Sequence, residues 1–140
     1  MNGLTICQPY AHLIAIGKKW VENRTWGTAY RGLLAIHAGI SRDYLGPNDL
    51  DRYPNMAFGA IVGIALLSEC LTYGIIMDWA RHNERFAEIL AHKHTEGPYC
   101  WLLEYALPLA VPIRCKGMQR LWPVPPTINA KLETTWSAAR

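Results

Sequence analysis

The order of its apolar and helical segments predicts an α+β fold for this chain, a mixed, mostly antiparallel β-barrel with flanking helices. Short apolar runs are separated by turn-forming Gly, Pro, Asn and Asp residues, which is typical of strands in a barrel wall. Helical spacing is clearest in Pro9–Gly17 and Asp78–Leu90, the expected principal helices. The order β-α-β-β-loop-β-α-β-β fits a closed or nearly closed barrel of roughly five or six main strands better than a parallel α/β sheet.

The first elements are predicted from short apolar runs and their flanking residues. Leu4–Gln8 is expected to be a strand that leads into a helix starting at Pro9. Proline is favoured in the first turn of a helix, and Gly17 is a suitable place for the helix to end. Val21–Trp26 is expected to be extended, and Leu33–Ala38, an apolar run between two glycines, to be a buried strand.

The middle of the chain contains a loop, a long strand and a helix. Ser41–Pro54 is rich in Gly, Pro, Asn and Asp and is expected to be an exposed excursion. Gly59–Leu71 is the longest strand candidate, and its glycines suggest bends or bulges. Asp78–Leu90 is predicted to be one amphipathic helix, with Trp79 and Phe86 on its apolar face.

Two more strands and a short helix are predicted near the C-terminus. Tyr99–Glu104 follows the Gly97-Pro98 turn, and Val111–Cys115 is expected to be a separate strand. The prolines that follow should end regular structure, and Thr127–Arg140 is expected to form a terminal helix. No repeat or linker divides the chain, so residues 1–140 are expected to form a single domain.

Composition predicts a globular protein of a reducing compartment. Apolar residues make up 51% and charged residues 18% of the 140 residues, so the chain can bury a core without disulfides. Its four cysteines show no CxxC pairing and are expected to be free thiols. The N-terminus lacks a signal-peptide pattern, and the longest apolar run, Ala57–Leu67, is too short to span a bilayer. We therefore expect a cytoplasmic protein with no membrane contact.

Positive charge is concentrated in two segments. Lys18–Arg31 holds four cations and one acid, and Arg114–Arg120 holds three cations and no acid, so each carries +3 while the whole chain carries +3. If the segments meet in space, they create a positive field that attracts phosphates. The alternative is two separate solvated loops.

One short pattern suggests a polar pocket. Gly17, Lys19, Glu22 and Arg24 form the pattern G-x-K-x-x-E-x-R, and Glu22 and Arg24 share one face of an extended segment. Lys19 and Arg24 could hold an anion or a carbonyl, while Glu22 accepts from an amino group or moves a proton. The alternative is a surface ion-pair cluster, which contributes little energy.

The aromatic and histidine residues near these segments could contact a ligand or pack in the core. Rings beside cations suit base stacking, but tryptophan also packs well in small cores. We expect Trp20 and Trp101 to be core residues and leave Trp26 between the two roles. The histidines at 82, 92 and 94 lack the tight spacing of zinc ligands, so no metal site is expected. His37, inside an apolar strand, is expected to be a hydrogen-bonded core residue.

Several sequence boxes resemble the ASCH domain family (activating signal cointegrator-1 homology). Residues 4–38 carry its Q-P-Y-A start, its G-x-K-x-x-E-x-R box, an R-T-W continuation and a Y-R-G-x-L-x-I-H-A strand. Residues 97–104 resemble its G-P-Y-x-W strand, and residues 112–122 resemble its closing P-x-x-x-K-G-x-Q-x-L-W element. Segments 41–53 and 72–96 match no box. The boxes occur in the family's order at both ends of the chain.

This resemblance implies a PUA-like β-barrel with a helix beside a cleft and a role connected with RNA. The Lys and Glu of the box face the cleft in that family, so Lys19 and Glu22 would be the electrophilic and acid/base pair of an enzyme. The resemblance also places Arg24, Lys116 and Gln119 at the cleft. The basic segments and their aromatic neighbour add further contact residues, so the set expected to contact single-stranded RNA, a nucleotide or a nucleoside is Arg24, Trp26, Arg31, Arg114, Lys116, Gln119 and Arg120.

Three functions are compatible with the resemblance. One is RNA binding combined with ribonuclease activity on single-stranded RNA, with Mg²⁺ or Mn²⁺ as the metal. Another is hydrolysis of modified nucleosides such as N4-acetylcytidine, but Glu22 stands where that branch has its catalytic Thr, and Thr25 is expected on the opposite face of the strand. The third is a non-catalytic nucleotide-binding module. A weaker possibility is a protein adaptor that binds through the unmatched middle.

Overall fold

The computed structural model describes residues 1–139, in which six strands form one sheet. The strands are β1 (Asn2–Ile6), β2 (Val21–Arg24), β3 (Gly32–Ala38), β4 (Ala60–Thr72), β5 (Tyr99–Arg114) and β6 (Leu121–Pro123). The helices of the same part of the chain are α1 (Tyr10–Ala15), α2 (Asp49–Arg52), α3 (Tyr73–Ala80), α4 (Glu84–Ala91) and α5 (Pro126–Ala138). None of these helices has the length and apolar character that crossing a bilayer requires.

The sheet is mixed and mostly antiparallel, as predicted. Its strand order is β2-β5-β4-β3-β1-β6, and β1 pairs with β3 in parallel while the other pairs are antiparallel. The sheet curls into a half-barrel with β2 and β6 at its two edges. It is therefore less closed than the sequence predicted, and side chains rather than backbone bonds cross the open side.

Two strands that the sequence predicted separately form one continuous strand in the long β4–β5 ribbon. Tyr99–Glu104 and Val111–Cys115 both belong to β5, because irregular registers accommodate the residues between them. Ile61 pairs with Ile113 and Gly63 pairs with Pro108, so residues 109–112 have no partners on β4. The bulge expected from the glycines of β4 is confirmed at Gly63.

The single helix predicted over Asp78–Leu90 is wrong. Two helices, α3 and α4, replace it, because Asn83 is extended and its side chain accepts a hydrogen bond from the Phe86 N–H. This is N-cap geometry, which starts a new helix at that point. The rings of Trp79 and Phe86 still contact each other across the break, with centroids 5.8 Å apart.

Most other elements agree with the sequence. The terminal helix predicted over Thr127–Arg140 is confirmed as α5, while Arg140 lies outside the described residues. The excursion at Ser41–Pro54 contains the short helix α2, which the sequence did not predict, and β6 was also missed. The four cysteines are free thiols, as expected.

Helix α1 packs against the sheet and places the first basic segment. Its residues Ala11, Ile14 and Ala15 are buried in the main core. The helix ends before Gly17, which has φ of +80°, and the Lys18 and Lys19 N–H groups then donate to the Leu13 carbonyl. This turn directs the chain back toward β2 with Lys19 at the barrel opening.

The contact between α1 and β4 depends on the absence of a side chain at Gly63. A Cβ there would lie 2.8 Å from Ala15 Cβ and 3.0 Å from the Leu107 carbonyl oxygen. We expect Gly63→Ala to lower the free energy of unfolding by about 1–3 kcal/mol through overpacking. Gly74→Ala is the matched control, because Gly74 lies in α3 with no heavy atom within 4 Å of the added Cβ.

Urea unfolding monitored by circular dichroism measures both variants. Gly74→Ala should be neutral or stabilising by up to about 1 kcal/mol, since alanine is the better helix former. Equal unfolding midpoints for the two variants would show that α1 does not pack on β4 as described.

Candidate functional site

A buried carboxylate held by two cations lies at the barrel opening. Lys19 Nζ is 2.9 Å from Glu22 Oε1, and Arg24 Nη2 is 2.9 Å from Glu22 Oε2. Lys19 also donates to the Val21 carbonyl oxygen. Lys19 is 3% exposed and Glu22 8% exposed. The interpretation of this box as a surface ion-pair cluster is therefore wrong.

Arg24 connects this cluster to the other side of the half-barrel. Its Nη2 also donates to the Thr5 carbonyl oxygen of β1, at 2.9 Å. Since β2 and β1 are not neighbours in the sheet, this hydrogen bond crosses the open side of the half-barrel. Arg24 Nε is buried and has no hydrogen-bond partner among the described residues. The guanidinium is therefore fixed through Nη2, while its buried Nε donor is unused.

Two cavities meet at Arg24. The larger, of about 640 Å³, is named here the basic cavity; it is lined by Arg24, Lys116 and Arg120 and by no acidic side chain. The smaller, of about 490 Å³, is named the tyrosine cavity; it is lined by Tyr10 and Tyr44 and by the Lys19–Glu22–Arg24 cluster. Thr5, Arg24 and Trp26 line both cavities. The two cavities are therefore halves of one cleft.

Trp26 forms the wall between the halves. The Arg120 guanidinium carbon lies 4.2 Å from the Trp26 ring centroid, as a cation–π contact. Trp101 packs edge-on against Trp26 at 4.8 Å and donates from Nε1 to the Trp26 carbonyl. Trp101 is fully buried, which confirms it as a core residue. Trp26 combines packing with a position in both cavities.

The loop after β5 is fixed to the sheet by His37. His37 Nε2 donates to the Cys115 carbonyl at 2.6 Å, and Nδ1 accepts from the Thr5 hydroxyl at 3.1 Å. Burial lowers the pKa of His37, and the hydrogen bond to Cys115 opposes this only in part. His37 is thus a neutral, hydrogen-bonded core residue, as predicted, and it holds the loop that carries Lys116.

The predicted site residues divide between the two cavities. Lys19, Glu22, Arg24 and Trp26 line the tyrosine cavity. The closing element contributes Lys116, Gln119 and Arg120 to the basic cavity. The two basic segments therefore meet around Arg24 and Trp26, and the alternative of two separate loops is wrong.

Two predicted contact residues lie outside both cavities. Arg31 donates to the Thr28 and Tyr30 carbonyls and lies 3.6 Å from Glu69. Arg114 is exposed at the end of β5. Charge alone could not separate these two from the cleft residues.

The sequence missed several residues of the tyrosine cavity. Tyr10 belongs to the Q-P-Y-A box, whereas Tyr44, His94 and Glu96 lie in the segments that matched no box. Thr25 was expected on the opposite face, but it lines the same cavity because β2 ends at Arg24 and the chain bends there.

Tyr10 lies at the centre of this cavity's aromatic surface. Its ring centroid is 6.3 Å from that of Tyr44 and 6.2 Å from that of His94. Lys19 Nζ lies 5.6 Å from the Tyr10 ring centroid. These rings, together with the cluster below them, give the cavity an apolar wall and a polar floor, as small-molecule and base sites require.

The histidines beside the cavity are kept neutral. Burial, reinforced by Lys19 and Lys93, lowers the pKa of His94, while Glu96 and Glu22 oppose the shift. Burial, followed by His94 and the two lysines, lowers the pKa of His92 to about 4. A neutral His92 is required because its Nε2 accepts the Trp20 N–H.

The donor set of the cleft does not fit a resident divalent cation. Among residues 1–139, no group of three or more His, Cys, Asp or Glu side chains is placed to hold a metal ion. In the tyrosine cavity, both oxygens of Glu22 already accept from cations, so Glu96 is the single free carboxylate among the described residues that line it. Hard divalent cations prefer free carboxylate oxygens.

We expect the Lys19–Glu22 pair to be strongly coupled in stability. Glu22→Gln leaves Lys19 buried without its charge partner and should cost about 3–5 kcal/mol of unfolding free energy. Adding Lys19→Met removes that unpaired charge, so the double variant should be more stable than the sum of the two single changes by about 1 kcal/mol or more.

The exposed pair Arg85–Glu104 is the matched control, with side chains 51% and 26% exposed. Glu104→Gln should cost less than about 1 kcal/mol, since exposed ion pairs contribute little. Chemical denaturation of the four variants measures these differences. Additive effects at Lys19 and Glu22 would contradict a buried pair.

Comparison with known proteins is consistent with this architecture. The ASCH domain model matches residues 4–113, including both segments in which the sequence boxes found no match. Activating signal cointegrator 1 from Homo sapiens is 26% identical over 138 residues, and the alignment covers 85% of this chain and 21% of that protein. This chain therefore spans about a fifth of the length of that relative.

Solved structures show the same fold. The crystal structure of ASCH from Zymomonas mobilis is 17% identical with a TM-score of 0.57, covering 95% of this chain and 93% of that chain. A point mutant of that protein gives 18% identity and a TM-score of 0.58, covering 95% of this chain and 96% of that chain. By sequence and by fold, the chain belongs to the ASCH domain family.

Proposed function

We propose that the protein binds single-stranded RNA across the two-part cleft, with phosphates in the basic cavity and one base in the tyrosine cavity. The observation that carries this proposal is the division of charge between the halves. Arg24, Lys116 and Arg120 line the basic cavity with no acid among them, whereas the adjoining cavity is aromatic and carries the acids. A nucleotide likewise has two chemically different parts, a negatively charged phosphate that suits the basic cavity and a flat aromatic base that suits the tyrosine cavity.

The basic cavity is suited to phosphate. Arginine and lysine donate charge-assisted hydrogen bonds to phosphate oxygens, and Arg24 is held by Glu22 and Thr5 before any ligand arrives. Arg120 is held less firmly, by its contact with the Trp26 ring. A preorganised cation loses little side-chain entropy on binding, so Arg24 is the expected anchor.

The tyrosine cavity is suited to a base that is not paired or stacked in a duplex. Its volume of about 490 Å³ lies within the usual range of small-ligand pockets. Bases of single strands can be turned out and packed against aromatic side chains, whereas the bases of an A-form duplex are not accessible in this way. Single-stranded RNA is therefore the favoured partner.

The geometry supports binding more directly than catalysis. Both oxygens of Glu22 and two of the three donors of Lys19 are used within the protein. A residue that moves a proton to or from a ligand must reach it directly or through one water. The pair is better suited to fixing Arg24 and the cavity floor than to the ribonuclease or N4-acetylcytidine hydrolase chemistry that other members of the family suggest.

Binding should weaken with salt, because cations that contact phosphates release counterions. For a labelled eight-nucleotide RNA we expect the salt dependence of affinity to correspond to about three contacts, each contributing a slope of about 0.7. Lys116→Ala should lower the affinity and reduce the slope by about one contact. Arg31→Ala is the control, since Arg31 lies outside the cleft, and should change neither quantity.

Fluorescence anisotropy across a salt series measures both quantities, and gel analysis of the same mixtures with Mg²⁺ or Mn²⁺ added detects cleavage. Full-length RNA throughout is the expected result. Affinity that is independent of salt would exclude phosphate recognition. RNA cleavage by the parent protein that is lost in a Glu22→Gln variant which still folds and binds RNA would show that the site is catalytic.

A further inference from the structure

The loop 94–97 is fixed to strand β2 by one side chain. Asn23 Oδ1 accepts hydrogen bonds from the Glu96 N–H at 3.0 Å and the Gly97 N–H at 2.8 Å. Asn23 Nδ2 donates to the His94 carbonyl at 2.6 Å. Asn23 lies between Glu22 and Arg24 in the chain, so the strand that carries the ion cluster also determines where this loop lies.

The loop presents an unused acceptor to the tyrosine cavity. Glu96 lines the cavity and is exposed, and its carboxylate makes no hydrogen bond or ion pair with any residue from 1 to 139. Glu22, the other acid of the cavity, has both oxygens occupied. Glu96 is therefore the carboxylate that remains available to a ligand.

A carboxylate at this place is unsuited to the RNA backbone, since it repels phosphate. It is suited to the edge of a base that carries an amino group, as glutamate accepts from the N4 amino group of cytosine. Uracil presents a carbonyl oxygen at the same position, which a carboxylate cannot bond and instead repels. The acid therefore distinguishes these two pyrimidines, which otherwise have nearly the same shape.

We propose that Glu96, positioned by Asn23, accepts a hydrogen bond from the exocyclic amino group of the base in the tyrosine cavity, so that the protein prefers cytosine to uracil. This inference rests on the proposed function and adds base selection to it. Glu96 is the specificity-determining residue, and Asn23 is a positioning residue that acts through the loop.

The test compares two eight-nucleotide RNAs, oligocytidylate and oligouridylate, by fluorescence anisotropy at one salt concentration. The parent protein should bind oligocytidylate about five to ten times more tightly, the order expected for one base-edge contact. Glu96→Ala should weaken oligocytidylate binding by a similar factor. It should leave oligouridylate binding unchanged or stronger, because the repulsion between the carboxylate and the uracil carbonyl oxygen is removed.

Loss of affinity for oligocytidylate alone separates recognition from damage to the fold, since a disrupted cleft would bind both RNAs less well. Glu88→Ala, an exposed acid on α4 outside the cleft, is the matched control and should keep the preference. Asn23→Ala should reduce the preference while phosphate-driven binding to oligouridylate persists. If Asn23→Ala does not fold, the comparison of the parent protein with Glu96→Ala still shows whether Glu96 determines the preference for cytosine.

Two results would overturn the inference while the proposed function stands. One is equal affinity of the parent protein for both RNAs, and the other is a cytosine preference that survives Glu96→Ala. Absence of binding to either RNA would overturn the proposed function, and base selection with it.

Discussion

The cleft depends on the carboxylate of Glu22, which is held between two cations. Burying these charges is costly, and the cost is recovered only if both partners stay in place. Lys19 and Arg24 each lie 2.9 Å from Glu22, and Arg24 then extends across the open half-barrel to the Thr5 carbonyl. The buried ion cluster therefore fixes the position of the Arg24 guanidinium, which lies where the two cavities meet. Stability and the proposed RNA binding are linked at this point, so the effects of Glu22 variants on folding and on affinity must be measured together.

The surrounding structure gives the two halves of the cleft different chemistry. The loop after β5, held by the hydrogen bonds of His37, brings cations to one half without any acid. Loops in the two segments that matched no sequence box, 41–53 and 72–96, bring Tyr44 and Glu96 to the other half. The rigid cluster thus fixes an arginine between the two halves, and we propose that the loops supply base selectivity. This arrangement resembles the general division of roles between scaffold and loops in binding proteins.

The sequence predicted the parts of the structure that depend on local pattern. The ion box, the strands around His37 and the helix that begins after Pro9 each have a signal within a few residues. The break at Asn83 was missed, because an apolar face that continues from Trp79 to Phe86 predicts one uninterrupted helix. The unity of β5 and the contribution of Glu96 depend on contacts between residues far apart in the chain. No pattern of neighbouring residues predicts such long-range contacts. The position of Arg31 outside the cleft also could not be predicted from its neighbours in the sequence.

Under the proposed function, the two cavities joined at Arg24 and Trp26 act as one RNA-binding cleft. Titration of ¹⁵N-labelled protein with an eight-nucleotide single-stranded RNA tests it most directly by nuclear magnetic resonance. We expect the resonances of the Trp26 indole N–H and the backbone amides of Lys116 and Glu96 to shift together, with one common dissociation constant. Shifts that reach only one cavity, or that cluster on the exposed face of α3 around Trp79, would contradict it.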